Sequence, residues 1–490
     1  MRFTLRDRSS TSVLILALIL IGGALLRLYG LTFQSLWLDE LFSMVWSRSD
    51  RSPMEIVRVY VDDVHPLGYP LLLHVWLVLF GDSDLAGRSL SAVLGILGIA
   101  VMFLAGRRLG GTAAGLCAAL LTALNAYHIA YSQEVRSYAL VFLLAALSYC
   151  ALVIVLHRPG WRTAVLYGLI TAAAIHVHYF ALVMLVGQVI AAATVLIARR
   201  ARWREWRPLM LGTVIVALAI LPWMRPLRKV MAMNEYWPAP PEPWFFIDYF
   251  HTYFGRDLIL SLILGTLLAV VPFVVPRRPT VDDTGSGAPL VTVAWLLGIS
   301  VFVSLGLAFA RSILIVPMLM PRFTIVFLPA ILFLIAIAIA HVRPRALRAL
   351  VLAGVIVLSI AGLVRSGYYT EPRKEQWREA TDCMLSDPRF DNTSNACLSV
   401  AAPGFQHYVD QRLPEFRVGD ATPAALRDLL DDGPAPAVLW LLLARNLEPG
   451  EGFRRLLVQH YVRSDRIKFL KTSVEKWERR GESGPGVGKE

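Results

Sequence analysis

The first 366 residues alternate between long apolar stretches and short polar connections. A transmembrane helix needs about 20 consecutive apolar residues, and runs of that length recur throughout this part of the chain. Their hydropathy predicts about eleven transmembrane helices, near residues 12–30, 85–106, 111–128, 137–157, 163–178, 179–198, 208–225, 257–276, 289–310, 322–341 and 346–366. We therefore expect an α-helical polytopic membrane protein.

The pattern changes after residue 366. The stretch "KEQWREATDCML" has helical periodicity, "ACLSVA" and "AVLWLLLA" are typical of short buried strands, and "TPAALRDLL" begins with a threonine that could cap a helix. About 120 residues are enough for a small α/β domain. The sequence therefore predicts a membrane domain over 1–366 and an α/β domain over 367–490.

Composition supports this interpretation. Hydrophobic residues make up 56% of the chain and charged residues only 17%, and the mean hydropathy is +0.56, as expected for a multi-pass membrane protein. The net charge of +12 could indicate nucleic-acid binding. However, the arginines stand in short clusters between apolar spans and not on a basic face interleaved with aromatic residues, so nucleic acid is excluded as a partner.

These arginine clusters predict the topology. With the N-terminus inside, every inner loop is basic, as the positive-inside rule requires; Arg107 and Arg108 form one such cluster. Residues 31–84, 129–136, 226–256, 311–321 and the chain after 366 then lie outside. Arg27 and Tyr29 end the first span and are interpreted as anchors at the membrane interface.

The first outer loop, residues 31–84, is too polar to cross the membrane and too long for a simple connection. Its mixture of charged, apolar and aromatic residues predicts amphipathic helices that lie in the interface. The stretch "DDVHPLGYPLLLHVWLVLF" is apolar for about 14 residues, which suits a shallow dip better than a full crossing. The same loop carries the side chains with candidate chemistry: Asp39, Glu40, Asp62, Asp63, His65 and His74.

Two of the four cysteines lie in the predicted outer domain. Cys383 and Cys397 are 14 positions apart, and a disulfide between them would stabilise the domain by roughly 3 kcal/mol through loop closure. The alternative is a pair of reduced, buried thiols, and the sequence leaves this open. Cys117 and Cys150 fall within predicted spans and are interpreted as packing residues.

Four stretches of the sequence together resemble a known family: "SLWLDELFS", "HPLGYPLLLHVWLVLFGDSDLAGRSLSAVLG", "YSQEVRSYAL" and "YYTEPRKEQWREA". They are similar to the glycosyltransferases of the GT-C fold that use lipid-phosphate sugars. Specifically, they resemble the bacterial branch related to protein O-mannosyltransferases and to aminoarabinose transferases of lipid A. The resemblance is specific for the superfamily and says little about the substrate.

The resemblance implies that a sugar arrives on a polyprenyl phosphate and is transferred, with inversion, to an acceptor on the outer face of the membrane. By match to the acidic motif of the family's first loop, Asp39 is the implied catalytic carboxylate, assisted by Glu40. Either residue could instead cap or solvate an interfacial helix. Inversion also follows because a single displacement needs only one base.

The resemblance also implies residues that bind the donor. Arg136 and Arg322 lie at outer ends of spans, where a guanidinium could bind two phosphate oxygens; both could instead be anchors that reach the interface. His65 stands where family members often have a basic residue before proline. In the aminoarabinose branch an acidic residue comes immediately before this basic residue. Here that position is Val64, so Asp63, one position earlier, is expected to act in its place.

Three further residues accompany these. Glu134 and Tyr138 are four positions apart, so on a helix they would share a face, and Glu134 could orient Arg136 or contact sugar hydroxyls. Tyr69, within the second stretch, is expected to bind substrate. A divalent metal ion is left open as a cofactor, since acidic and histidine ligands exist without diagnostic spacing. His176 and His178, in "HVH", are interpreted as packing residues unless the helix unwinds there.

The alternative function is a secondary transporter or flippase of lipid-linked sugars, which should show inverted repeats or ionisable helices near mid-membrane. A non-catalytic scaffold is a third alternative, and it would leave the loop carboxylates without a role. The expected partners are a polyprenyl-phosphate sugar donor, a lipid, glycan or protein acceptor, and membrane lipids. The expected location is the inner or plasma membrane of a bacterium.

Overall fold

The computed structural model describes residues 5–233, 239–275, 289–431, 434–445 and 447–481. The chain forms two compact units, which are described separately. The first consists of residues 1–31, 49–80 and 87–367, and the second of residues 32–48, 81–86 and 368–490. The second unit thus contains the chain after residue 367 and also two segments of the first loop.

Twenty α-helices and five β-strands are described. The first ten helices are α1 (Leu5–Leu28), α2 (Leu38–Ser47), α3 (Pro53–Val61), α4 (Gly68–Phe80), α5 (Asp84–Leu124), α6 (Ala126–Ser132), α7 (Tyr138–His157), α8 (Trp161–Val177), α9 (Phe180–Ala198) and α10 (Trp203–Ile220). The next ten are α11 (Met224–Met231), α12 (Phe245–Tyr253), α13 (Leu258–Val274), α14 (Leu290–Leu314), α15 (Leu328–His341), α16 (Arg345–Arg365), α17 (Trp377–Leu385), α18 (Ala402–Asp410), α19 (Pro423–Asp431) and α20 (Glu451–His460).

Among the described residues, 8 helices are long and apolar enough to cross a membrane, or 9 if the pair α12 and α13, bent by 105°, counts as one span. This confirms the predicted class of α-helical polytopic membrane protein, while the count of eleven stays a prediction. Two further apolar helices are shorter, α4 and α8. Helix α4 corresponds to the stretch expected to dip into the membrane.

Helix α5 is interrupted inside its 41-residue range. Gly111 has a φ of 84° inside it, a left-handed conformation that glycine adopts without steric cost. A Cβ placed on Gly106 would lie 3.0 Å from the Cα of Gly115, whereas residues nine apart in a straight helix are separated by about 13 Å. The chain therefore turns back at Gly111, as the two separate predicted spans require.

Hydrogen bonds and small residues hold the apolar helices together. Ser148 lies 2.8 Å from Thr171 and donates to Gln188 at 3.2 Å, and Tyr167 also donates to Gln188, at 3.0 Å. All four side chains are buried, and in an apolar medium such polar groups associate helices only when they bond to one another. This cluster ties α7, α8 and α9 together.

Helix α9 packs very closely on α14 at Gly187. A Cβ at this position would lie 2.1 Å from the Ser304 hydroxyl and 2.4 Å from the Ser300 carbonyl oxygen. We expect Gly187→Ala to lower stability by about 1–3 kcal/mol through overpacking, seen as a lower Tm in detergent. Gly306→Ala, on α14 with open space around it, is the matched control and should leave Tm unchanged; equal Tm values for both variants would contradict the close packing.

Arg27 is a buried structural residue, so its interpretation as an interface anchor is wrong. Its guanidinium donates to the carbonyl oxygens of Thr122 and Ala123 at 2.9 and 3.1 Å and lies 2.7 Å from His128 Nδ1. The carbonyl groups at a helix C-terminus lack helical partners and accept such donors. The Gln133 amide in turn donates to the carbonyl oxygen of Arg27 at 3.0 Å, which fixes the chain just before Glu134.

The second unit contains a small α/β fold of the kind that the sequence predicts, and the domain bounds of 367–490 stay a prediction. Its five strands have the order β2-β1-β3-β5-β4 and comprise β1 (Asn395–Ser399), β2 (Val418–Asp420), β3 (Val438–Ala444), β4 (Tyr461–Phe469) and β5 (Thr472–Arg479). Strand β1 is parallel to β2 and β3, and β5 is antiparallel to β3 and β4. The predicted strands correspond to β1 and β3, and the predicted capped helix corresponds to α19.

The four cysteines, all within the described part of the chain, are free. The disulfide between Cys383 and Cys397 is therefore not formed in this structure, and the alternative of two reduced thiols holds. Cys397 is buried in β1, where burial raises the pKa of its thiol well above the usual value, whereas Cys383 is half-buried on α17. Burial also raises the pKa of the Cys383 thiol, so both thiols stay protonated at neutral pH.

Candidate functional site

Three predicted site residues of the first unit form a hydrogen-bonded chain. His65 Nδ1 lies 2.8 Å from the Asp63 carboxylate, and Arg136 Nη2 lies 2.8 Å from His65 Nε2. Arg136 is only 6% exposed, so its charge is largely removed from water. The structure thus joins Asp63 and Arg136, predicted from two separate outer loops, through His65.

The partners of His65 define its protonation. A guanidinium can only donate, so His65 Nε2 must accept the bond from Arg136 and carries no proton. Nδ1 then carries the single proton of a neutral imidazole and donates it to Asp63. Asp63 therefore fixes the tautomer of His65, and His65 in turn fixes the guanidinium of Arg136.

The pKa of the Asp63 carboxyl reflects this arrangement. Burial by itself would raise the pKa, but the His65 side chain and the backbone N–H groups of Val64 and His65 together outweigh it, and the pKa lies below its usual value. Asp63 is consequently ionised at neutral pH. Stability that depends on this carboxylate is complete above its ordinary pKa and is lost only as the pH falls through the lowered value.

Local sequence explains where these groups lie. Helix α3 begins with a capping box, in which the Ser52 hydroxyl accepts from the backbone N–H of Glu55 and the Glu55 carboxylate accepts from that of Ser52. The helix ends at Val61, and Pro66 restrains the residue before it to extended backbone. Asp63 and His65 therefore lie in a non-helical segment between α3 and α4.

Arg136 lies in a tight turn between α6 and α7. Its backbone N–H donates to the Glu134 carbonyl oxygen at 2.7 Å, and α7 begins only at Tyr138. The expectation that Glu134 and Tyr138 share a helix face is therefore wrong, because the turn separates them. Tyr69 is buried behind the turn and contacts Ser91 at 3.3 Å, and Ser91 in turn lies 3.5 Å from the Arg136 carbonyl oxygen.

Aromatic rings connect Arg136 to Arg322. The guanidinium carbon of Arg136 lies 5.9 Å from the ring centre of Tyr138, and that of Arg322 lies 5.6 Å from the ring of Phe323. Between these rings lies His178, 5.8 Å from Tyr138 and 5.7 Å from Phe323. Each guanidinium is thus within cation–π range of an aromatic face that contacts the same imidazole.

A largely apolar groove with an empty volume of about 1020 Å³ opens beside this cluster. His65, His178 and Phe323 line one part of it, and Arg311 is a further cationic residue in its lining. The remaining wall comes from aliphatic and thioether side chains that include Leu182, Val183, Leu227, Val230, Met231 and Met318. A polar headgroup with a flexible hydrocarbon chain fits such a lining.

Asp39 and Glu40 belong to the second unit. They occupy the first turn of α2, and the two differ in their surroundings. Glu40 is fully buried and forms an ion pair with Lys374 at 2.8 Å, whereas Asp39 is half-buried. The helix therefore turns Glu40 inward, to a structural partner.

Hydrogen bonds join the stretch "PRKEQWRE", 372–379, to Gln34 and to Leu38 within the stretch "SLWLDE". The Leu38 backbone N–H and the Trp377 indole both donate to the Glu375 carboxylate at 2.9 Å. The backbone N–H groups of Arg373 and Lys374 donate to the Gln34 side chain. Two stretches on which the family resemblance rests are therefore parts of one hydrogen-bonded structure, in which Lys374 and Glu375 were not predicted from sequence.

We expect Lys374→Met to lower the stability of this unit by roughly 3 kcal/mol, because it removes a paired cation from the buried Glu40 carboxylate. The measurement is Tm of the full chain in detergent, where a fall of several degrees is predicted. Adding Glu40→Gln should restore part of the loss, because both charges are then gone. The control is Arg455→Gln, which removes an exposed pair with Glu451 and should change little; a Lys374→Met effect no larger than this control would contradict the expectation.

The structure thus brings Asp63, His65 and Arg136 together, and it adds Tyr138 and Arg322 through aromatic contacts. In the described part of the chain, no group of three or more histidine, cysteine, aspartate or glutamate side chains converges as a metal site. The hydrogen bonds above already engage Asp63 and His65. We therefore derive no chemical step through a metal ion.

Comparisons with known proteins agree with this architecture. Residues 64–224 match the family model described as "Dolichyl-phosphate-mannose-protein mannosyltransferase", a range that contains Arg136 and His178. No curated protein sequence matches the chain.

Among solved structures, ArnT from Cupriavidus metallidurans in the apo state is similar, with a TM-score of 0.64, 14% identity and coverage of 96% of this chain and 98% of that chain. Its complex with undecaprenyl phosphate has a TM-score of 0.61, 13% identity and coverage of 99% and 100%. The archaeal oligosaccharyltransferase AglB from Archaeoglobus fulgidus, in complex with an inhibitory peptide and a dolichol-phosphate, has a TM-score of 0.53, 10% identity and coverage of 98% and 75%.

These structural similarities confirm the fold that the resemblance implies, and the family model adds the sequence match over 64–224. The chain therefore has the fold of the ArnT and AglB structures, and its match to the mannosyltransferase family model spans 161 of its 490 residues.

Proposed function

We propose that this protein transfers a sugar from a polyprenyl-phosphate donor to an acceptor on the outer face of the membrane. The observation that carries the proposal is the Asp63–His65–Arg136 chain, because it holds a buried guanidinium in one orientation beside an apolar groove. The groove suits a prenyl chain and the guanidinium suits its phosphate. The undecaprenyl phosphate and dolichol-phosphate in the ArnT and AglB structures support this assignment.

The guanidinium contributes to the chemistry as well as to binding. When the sugar leaves, negative charge develops on the phosphate oxygen that was bonded to it, and a fixed cation stabilises that charge most effectively where water is excluded. Because Asp63 and His65 already orient Arg136, little reorganisation is needed during the reaction. Arg322, over the Phe323 ring, supplies a second positive charge on the same cluster.

The transfer itself is a single displacement. An acceptor hydroxyl attacks the anomeric carbon, the bond from that carbon to the phosphate oxygen breaks, and its electron pair leaves with the lipid phosphate. The acceptor's proton passes to a carboxylate, for which we propose Asp39. Attack opposite the leaving group inverts the anomeric centre.

Asp39 is the better candidate of the two adjacent carboxylates, because it is half-buried whereas Glu40 is fully buried. We therefore assign Glu40 a positioning role, in which it fixes the first turn of α2. The predicted topology supports an extracytoplasmic location for the second unit and a bacterial inner or plasma membrane for the protein. The proposed acceptor is a lipid, a glycan or a protein.

The test is release of free polyprenyl phosphate by the purified protein from a panel of hexosyl and pentosyl phosphoundecaprenol donors. This product is common to every sugar and acceptor, and slow transfer to water also produces it. We expect release from at least one donor. Movement of intact donor across vesicle membranes without any release would instead support a flippase and would overturn the proposal.

A further inference from the structure

A second imidazole lies in the same groove as His65. His178 lines the groove, and its ring is held among three aromatic side chains, at 5.8 Å from Tyr138, 5.9 Å from Phe180 and 5.7 Å from Phe323. The guanidinium groups of Arg136 and Arg322 lie over two of these rings, those of Tyr138 and Phe323 respectively. His178 therefore lies between the two arginines of the cluster, although the sequence predicts it neither as a catalytic residue nor as a substrate-binding residue.

The backbone explains how His178 differs from the nearby His176. Helix α8 ends at Val177, and His178 has extended backbone, with φ of −157° and ψ of 124°. His176 is still helical, and its Nε2 lies 3.0 Å from the carbonyl oxygen of Ala219. The "HVH" stretch therefore unwinds, which directs only one of its two histidines to the groove.

A hydrogen bond to His178 defines which of its ring nitrogens carries the proton. The backbone N–H of Phe180 donates to His178 Nδ1 at 3.3 Å, so Nδ1 is an acceptor and carries no proton. The remaining proton of the imidazole is then on Nε2. Burial lowers the pKa of the His178 imidazole well below its usual value, and the positive charges of Arg136 and Arg322 act in the same direction, so His178 is a neutral hydrogen-bond donor.

We infer that His178 is a further phosphate-binding residue, whose Nε2–H donates to an oxygen of the polyprenyl phosphate in the groove. The inference rests on the proposed function, since it concerns the same donor site. A neutral donor is well suited to this position, because it adds a hydrogen bond to the anion without adding a third positive charge beside two guanidinium groups. Phenylalanine would fill the same aromatic cage, so a residue that only packs would not need its nitrogen atoms.

Three substitutions separate binding from packing. His178→Phe keeps an aromatic ring and removes both nitrogens. The amide nitrogen of His178→Gln reaches about as far as Nε2, so this variant keeps the donor, whereas the shorter His178→Asn replaces only the Nδ1 position. His176→Phe, which removes the bond to the Ala219 carbonyl outside the cluster, is the matched control.

The measurement is the dissociation constant of undecaprenyl phosphate for the full chain in detergent, alongside Tm of each variant. Because a hydrogen bond to a charged group is lost, we expect about 10- to 100-fold weaker binding in His178→Phe and in His178→Asn. We expect His178→Gln to bind within about threefold of the unchanged protein, as a retained donor implies. His176→Phe should bind as the unchanged protein does, even if its Tm falls.

Unchanged affinity in His178→Phe, while Arg136→Ala loses binding, would overturn the inference and leave the proposed function standing. Equal losses in His178→Gln and His178→Phe, with Tm preserved, would also overturn it, because the donor would then not matter. If the unchanged protein itself did not bind undecaprenyl phosphate, the proposed function would fail and the inference would fail with it.

Discussion

Arg136→Ala is expected to raise the KM for the lipid donor by about 30- to 1,000-fold. Removing a buried, hydrogen-bonded charge that binds an anion costs about 2–4 kcal/mol, and each 1.4 kcal/mol is tenfold in affinity. The substitution also leaves the acceptor nitrogen of His65 without its donor. The KM for the acceptor should change by less than about twofold, because no acceptor contact is assigned to Arg136.

Two variants make this prediction specific. Arg136→Lys keeps the charge but loses the planar fork of donors, so it should recover only part of the donor affinity. Arg162→Ala removes an arginine beside Trp161 at the start of α8, away from the cluster, and should leave both KM values unchanged. Steady-state kinetics with donor and acceptor varied separately provide the measurement. An unchanged donor KM in Arg136→Ala would remove Arg136 from the site.

Asp39→Asn is expected to lower kcat by about 10²- to 10⁴-fold with little change in either KM. General-base catalysis contributes about this much, and a residue that acts only in the transition state lowers kcat and kcat/KM together. Asparagine has nearly the same shape and is tolerated in the first turn of a helix. Tm should therefore stay within a degree or two of the unchanged protein.

The matched control is Asp50→Asn, which makes the same chemical change at an exposed position shortly after α2. Its kcat should equal that of the unchanged protein. Glu40→Gln offers a second contrast, because it should lower Tm through loss of the Lys374 pair. An Asp39→Asn variant that retained kcat within about threefold would show that the proton is accepted elsewhere.

Much of the fold could be predicted because it follows from hydrophobic length and period. A helix in lipid must be apolar for its whole length, so α7, α9, α14 and α15 are visible directly in the sequence. The strands β1 and β3 are visible for a similar reason, since they are buried on both faces and form apolar runs. The turn at Gly111 lies where two separate apolar spans, 85–106 and 111–128, are predicted.

The parts that could not be predicted depend on contacts between distant segments. Hydropathy cannot distinguish an arginine that reaches the interface from one that binds buried carbonyl groups, so Arg27 was assigned to the wrong environment. Glu134 and Tyr138 have helical spacing, but the tight turn at Arg136 overrides it. The sequence left the Cys383–Cys397 pairing open because separation along the chain does not fix the distance between two thiols.

The candidate site, too, could be predicted only in part from the sequence. The family resemblance gave Asp63, His65 and Arg136 as separate expectations from different loops, and only the fold shows that they form one hydrogen-bonded chain. Lys374 and Glu375 lie within a stretch that the resemblance includes, so their motif was visible but their partners were not. The role of His178 could not be predicted because it depends on the residue at which α8 ends. A histidine at the end of an apolar run is usually a packing residue.

The central claim is that the groove beside Arg136 holds a polyprenyl phosphate, and photo-crosslinking tests it most directly. An undecaprenyl phosphate analogue with a diazirine on its prenyl chain would be bound to the full chain, irradiated, and the labelled residues mapped by mass spectrometry. We predict labels on Leu182, Val230 and Met318, which line the groove, and their loss in Arg136→Ala or with excess undecaprenyl phosphate. Labels confined to other surfaces, or labels in the groove that Arg136→Ala leaves undiminished, would contradict the account.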